Sequence, residues 1–215
     1  MLNIDHLMWG APDLETGIAE AQRLFSVKAA PGGVHPGLGT CNALLSLGQS
    51  CYLEIIAPDP AQPLTSFGKR LAALPGCQLI SWAAAASDLA AVAALAESLQ
   101  WSVLGPLDTR RQIDGGELLE WQLLFFGDHG FGNVVPFVID WQGCQHPSAV
   151  NPLAGRLKQL QLFSPSASEL RGHFASLGLA VPISDAEQVA IAVDIEGANG
   201  VVRLQSSGAS MAIKL

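Results

Sequence analysis

The residues best suited to chemistry in this chain are a histidine and a glutamate set where an unpaired charge is costly. His6 lies in the apolar run from Ile4 to Trp9, and Glu54 lies in Cys51-Tyr52-Leu53-Glu54-Ile55-Ile56-Ala57-Pro58. A carboxylate among apolar neighbours needs a partner. An imidazole on a neighbouring strand supplies one, either as co-ligand of a metal or as half of an ionic pair. Between them runs Pro31-Gly32-Gly33-Val34-His35-Pro36-Gly37-Leu38-Gly39-Thr40-Cys41-Asn42, read as a glycine-rich loop that leads into a strand hairpin. Its glycines permit unusual backbone angles and close approach of a ligand, and its backbone N–H groups could hold an anion. Thr40 and Asn42 alternate and so share one face, which with His35 reads as the polar lining of a pocket or as a plain turn. The loop does not fit a dinucleotide fingerprint, because the strand-like Ala43 to Leu47 follows it and no helix does; no nucleotide cofactor is expected.

Further along, Arg110 and Arg111 precede a glycine turn, and Trp121 lies on the adjoining strand. Together they read as a wall for a carboxylate or carbonyl-bearing substrate, or as solvated arginines beside a core tryptophan. His129 falls on a loop tip and His173 in a helix. Cys41, Cys51, Cys77 and Cys144 show no C-x-x-C spacing and read as reduced core thiols. No nucleophile elbow, Walker loop or His-Glu-x-x-His motif occurs.

The elements that must position these residues recur along the chain. A strand from Leu2 to Trp9 precedes a helix capped by Asp13, with Leu14, Ile18, Ala21 and Leu24 or Phe25 on one face. A short strand at 26–30, the glycine-rich loop and the hairpin complete a strand-helix-three-strand unit. After a short helical stretch at 64–74 the order repeats: strand 77–84, a helix capped at Ser87-Asp88, strands at 101–104, 117–126 and 133–141. It repeats again after the linker 142–154, with a strand at 157–163, a helix from the capping box Ser166-x-x-Glu169, and strands at 179–183, 188–196 and 201–205. The composition, 49% apolar and 14% charged, is that of a packed globular chain. A net charge of −8 with scattered Lys and Arg argues against a nucleic-acid partner. The absence of a signal-like start and of an apolar run of membrane length predicts a cytoplasmic protein with no membrane partner.

A repeated βαβββ unit with a His in the first strand of a copy and a Glu in its last resembles the vicinal oxygen chelate superfamily. Its members include glyoxalase I, extradiol dioxygenases and bleomycin-resistance proteins. The resemblance to its glyoxalase-like branch is carried by Ile4-Asp5-His6-Leu7 with Pro12-Asp13-Leu14, by Gly32-Gly33-Val34-His35-Pro36 with Gly39-Thr40-x-Asn42, and by Tyr52-Leu53-Glu54-Ile55. Pro136-Phe137-x-Ile139-x-Trp141 and His146-Pro147 extend it to about residue 150.

The resemblance implies an α+β fold of half-open, cupped mixed sheets with helices on the outside. Residues 1–150 would form one domain of two units, about 1–60 and 76–142, and 155–215 a third unit that packs on it or builds a homodimer interface. It implies a divalent metal (Zn, Ni, Mn or Fe) held by His6 and Glu54, with Glu54 and His35 as catalytic groups and a small-molecule ligand. The second ligand pair is not matched. The position of His6 falls on Ser81 and Gln159 in the later units, and that of Glu54 near Val138 or Asp140 and near Gln205, leaving Asp140, Gln159 and Gln205 as weaker ligand candidates. The function so implied is a metal-dependent isomerase, lyase or dioxygenase acting on a small oxygenated metabolite. The alternative is a metal-free binding protein of the bleomycin-resistance type.

Overall fold

A computed structural model describes residues 2–112 and 118–206. The predicted glycine turn at 114–116 lies outside the described residues, as does the side chain of Arg111. The first unit consists of β1 (Asn3–Gly10), α1 (Leu14–Phe25), β2 (Ala30–His35), β3 (Thr40–Ser46) and β4 (Tyr52–Pro58). A short helix, α2 (Ser66–Ala72), leads to a second set: β5 (Gln78–Ala85), α3 (Leu89–Ser98), β6 (Ser102–Gln112), β7 (Leu118–Gly127) and β8 (Phe137–Asp140). The eight strands form one curled mixed sheet in the order β2-β3-β4-β1-β5-β8-β7-β6. In each unit the first strand pairs parallel with the last, and β1 and β5 join the units antiparallel.

Local chemistry accounts for the helix ends. Asp13 caps α1 by accepting from the Thr16 N–H at 2.8 Å, and Asp88 caps α3 by accepting from the Ala91 N–H at 2.9 Å. Ser26, predicted to open a strand, instead closes α1 in the left-handed conformation (φ 57°). The glycine-rich stretch is itself strand β2 at the edge of the sheet, where proline and glycine cost fewest ladder bonds. The predicted strand at 101–104 runs on through the following residues as the eleven-residue β6. A 3-10 turn at Gly132–Val134 occupies the start of the strand predicted at 133–141.

The sheet separates two apolar layers. The outer face packs on α1 and α3 around the fully buried Leu7, Leu53, Ile55 and Trp82. The inner face carries a smaller cluster in which Met8, Ile56, Ile80 and Phe137 meet Leu71 of α2 and its neighbour Phe67.

The remaining residues form β9 (Gly155–Ser164), α4 (Ala167–Leu177), β10 (Ile183–Asp185), β11 (Ala190–Gly197) and β12 (Gly200–Gln205). The order of elements is again strand, helix, three strands. Their pairing is different, however: the sheet runs β10-β9-β11-β12, with the first strand interior and parallel to the short strand after the helix. This layer packs on the outer face of the second unit. There α4 meets α3, β11 and β12 meet β5, and Phe174 lies 6.3 Å from Trp82.

Candidate functional site

The inner face of the curled sheet lines a cavity of about 360 Å³, within the range of small-molecule sites. Its first-unit wall carries every polar group the sequence singled out there: His6 from β1, His35 from β2, Thr40 and Asn42 from β3, Glu54 from β4. Strand alternation places them on one face. His35, Thr40 and Asn42 are in register, with His35 opposite Thr40 and Asn42 opposite Ile56 of the next strand. The opposing walls are apolar and aromatic, from Phe67 at the start of α2 to Trp121, Leu123, Phe125, Phe137, Ile139 and Trp141.

Glu54 is the centre of the polar side. Asn42 Nδ2 donates to Glu54 Oε1 at 2.6 Å and makes a longer contact, 3.2 Å, with His35 Nε2. Because that nitrogen accepts, the proton of His35 is on Nδ1 and is donated to Thr40 Oγ1 at 2.8 Å. The Asn42 amide oxygen is buried and has no hydrogen-bond partner; it rests against Gly32, where a Cβ would lie only 2.1 Å away. Gly32 falls at a register shift between β2 and β3, so close approach of the amide requires the missing side chain.

His6 is fixed from the other side. Its Nδ1 donates to Asp5 Oδ1 at 2.6 Å, which leaves Nε2 facing Glu54 Oε2 at 3.7 Å. Simple alternation would send Asp5 and His6 to opposite faces. A β-bulge between Ile4 and His6 in the pairing of β1 with β5 lets both reach one network. Asp5 Oδ2 accepts from Trp141 Nε1 at 3.0 Å and from His146 at 3.2 Å. His146 Nδ1 accepts the Ser148 N–H, so its Nε2 carries the proton given to Asp5. Burial pushes the Asp5 carboxyl up, but the hydrogen bonds and charge of His146 and His6 outweigh burial and hold its pKa at about 2. Tyr52 stacks on His6 at 4.6 Å between ring centres. Asp5 and His146 were not singled out as site residues by the sequence; an aspartate directly before a histidine in an apolar strand was the available signal.

The remaining candidates are elsewhere. Asp140 follows Ile139 and alternation turns it out of the cavity, where it accepts from Gln142. The register also relocates the counterpart of Glu54. The two units superpose with β1 on β5 and α1 on α3, so that Met8, which pairs with Glu54, corresponds to Ala83, which pairs with Phe137. Phe137, not Val138 or Asp140, thus stands where a second carboxylate would be, and Ser81 stands in the place of His6. Gln159 and Gln205 belong to the separate four-stranded sheet and are exposed. Arg110 is exposed and does not line the cavity, whereas Thr109 beside it and Trp121 opposite do. Trp121 packs against Trp141 at 5.6 Å.

Among the described residues no group of three His, Cys, Asp or Glu side chains is arranged to hold a metal. Two donors do fit one: His6 Nε2 and Glu54 Oε2 both belong to cavity-lining residues, and their separation suits two ligands of one ion with bonds of roughly 2.1 Å. The Asp5–His6 contact has the form of the carboxylate–histidine pairs that orient metal-bound imidazoles. Two electron-rich atoms facing each other in a largely apolar cavity call for a cation or a proton between them.

Among solved structures the chain is similar to a hypothetical protein from Staphylococcus aureus, at 17% identity over 98% of this chain and 88% of that one, with a TM-score of 0.66. It is similar to 4-hydroxymandelate synthase from Streptomyces coelicolor, in a variant form, at 15% identity over 95% of this chain and 62% of that one, with a TM-score of 0.52. It also resembles a variant of Streptomyces coelicolor methylmalonyl-CoA epimerase in complex with 2-nitronate-propionyl-CoA, at 18% identity over 68% of this chain and 100% of that one, with a TM-score of 0.50. At these identities the likeness is one of fold. No curated protein matches the sequence. A family model described as a glyoxalase-like domain matches residues 4–178, which shows that the chain belongs to the glyoxalase-like domain family.

Proposed function

We propose that this chain is a metal-dependent enzyme, of isomerase, lyase or dioxygenase type, acting on a small oxygenated metabolite. The observation that carries the reading is the approach of His6 Nε2 and Glu54 Oε2, 3.7 Å apart at the polar wall of an otherwise apolar cavity. His6 and Glu54 would hold a divalent ion, for which imidazole and carboxylate are suited to Zn, Ni, Mn or Fe. When bound, such an ion polarises the substrate oxygens it chelates and acidifies the adjoining C–H.

The chain's own residues do the rest. Asn42 occupies Glu54 Oε1 and so fixes which carboxylate oxygen faces the cavity. Thr40 holds the proton of His35 on Nδ1, so the nitrogen that would exchange a proton with substrate is Nε2, which must give up its long contact with Asn42 to do so. The aromatic wall of Trp121, Phe125, Phe137 and Trp141 excludes water and holds the apolar remainder of the ligand. Among the described lining residues there is no Lys or Arg, which favours a ligand without phosphate groups.

A metal-free binding protein is the second reading. Phe137 and Ser81 at the second unit's counterpart positions favour it, because that unit then supplies no imidazole or carboxylate. Incubation of metal-loaded protein in D₂O with α-hydroxy-carbonyl and catechol compounds separates the two. Deuterium uptake beside the chelated oxygen, lost in His35→Ala, supports the isomerase or lyase form, and oxygen consumption with catechols supports the dioxygenase form. Binding of the compounds with no turnover under any metal contradicts the enzyme reading.

A further inference from the structure

Asp5 is not among the residues that line the cavity, and its two carboxylate oxygens are divided between different partners. Oδ1 accepts from His6 at 2.6 Å. Oδ2 accepts from two N–H groups, the Trp141 indole at 3.0 Å and the His146 imidazole at 3.2 Å. The direction of the His146 bond is set in turn by the Ser148 backbone N–H, which occupies His146 Nδ1 at 3.1 Å. Both donors to Oδ2 come from the segment after β8, so this segment reaches across 136 and 141 residues of chain to fix a side chain in β1.

We propose that Asp5 is a positioning residue that holds His6 in the tautomer with its proton on Nδ1, and that Trp141 and His146 make this choice one-sided. The proposal rests on the metal-site reading above only for its effect on metal; the tautomer assignment stands on the hydrogen bonds alone. The division of donors has a specific consequence for Asp5→Asn. An asparagine there must put its oxygen at the Oδ2 position, because two N–H groups point at it. Its NH₂ group then faces His6 Nδ1 and donates to it, driving the imidazole proton to Nε2. A near-isosteric change thus inverts His6, replacing the lone pair that faces Glu54 with an N–H.

The test is a long-range ¹H–¹⁵N correlation spectrum of the histidines in the full, uniformly labelled chain at about pH 8, above the reference imidazole pKa of about 6.5. It is paired with calorimetric titration of Zn and Mn. His6 is assigned by its loss in His6→Gln. The expected result is an Nδ1–H tautomer for His6 in the parent and Nε2–H in Asp5→Asn, with metal affinity falling by about 10- to 100-fold while the amide spectrum stays folded. Retention of the Nδ1–H tautomer in a folded Asp5→Asn overturns the proposal. An Nε2–H or doubly protonated His6 in the parent also overturns it, and needs no variant to fold. A parent that takes no metal but whose tautomer inverts in Asp5→Asn upholds the positioning role and removes the metal-site reading, so the two failures are distinct.

Discussion

Substitution of Gly32 by alanine tests the packing that orients Glu54. A Cβ there would lie 2.1 Å from the Asn42 amide oxygen and 2.9 Å from its carbon. To regain ordinary contact the amide must retreat by roughly 1.4 Å. It cannot do so freely, because its nitrogen is tied to Glu54 at 2.6 Å and to His35 at 3.2 Å. Losing a hydrogen bond to a buried charge costs about 1.5–3 kcal/mol, and residual overpacking about 1 kcal/mol more. The expected loss is therefore about 2.5–4 kcal/mol, or about 5–16 °C in Tm for a chain of this size. The assay is urea and thermal denaturation of Gly32→Ala, Asn42→Ala and the double variant. With the amide gone, the alanine at position 32 should cost under about 1 kcal/mol, giving a coupling of about 2 kcal/mol between the two sites. An equal cost of Gly32→Ala in both backgrounds would refute the link between Gly32 and the Asn42–Glu54 bond.

Further expectations concern the frame. Trp82 is fully buried, donates to the Val134 carbonyl at 2.8 Å and meets Phe174, so Trp82→Ala should cost about 3–5 kcal/mol by urea denaturation; a loss under about 1 kcal/mol would contradict its place at the junction of the two layers. Asp13 makes a capping bond and the Ser166 side chain makes none, so Asp13→Ala should cost about 1 kcal/mol and Ser166→Ala less than about 0.5 kcal/mol, and equal costs would count against this assignment of caps. Burial first, and the nearby Asp5 charge second, push the Cys51 thiol up to about 12, so at pH 8 it stays protonated and iodoacetamide should leave it unmodified until the chain is unfolded; rapid labelling of the native protein would show otherwise.

The polar half of the site was legible because a charged residue in an apolar strand is anomalous on its face. His6 and Glu54 needed no knowledge of the sheet to be paired, and alternation alone placed Thr40 and Asn42 on a common side. Asp5 escaped because alternation, applied strictly, sends it away from His6; only a bulge brings it round, and nothing in Ile4-Asp5-His6-Leu7 announces one. The counterpart of Glu54 escaped for a related reason. Laying one unit on another by helix starts fixes the first strands, but the last strands follow loops of different length, so spacing pointed at Val138 or Asp140 where register gives Phe137. The same limit applies to the layer from β9 to β12. Its order of elements can be read from period and turns, whereas the pairing of β9 with β10 and β11 depends on long-range packing that no local pattern encodes. Arg110 was misplaced by one residue of parity: its neighbour Thr109 faces the cavity and it does not.

The proposed function requires that His6 and Glu54 hold a divalent ion. It is tested most directly by dialysing the purified full chain against Zn, Ni, Mn and Fe(II) in turn, the iron without oxygen, and counting metal per chain by elemental analysis, beside a His6→Ala, Glu54→Gln double variant of confirmed fold. About one ion per parent chain is expected for at least one of these metals, with its loss in the variant. Less than about a tenth of an equivalent in the parent with all four, or equal metal in parent and variant, would contradict it.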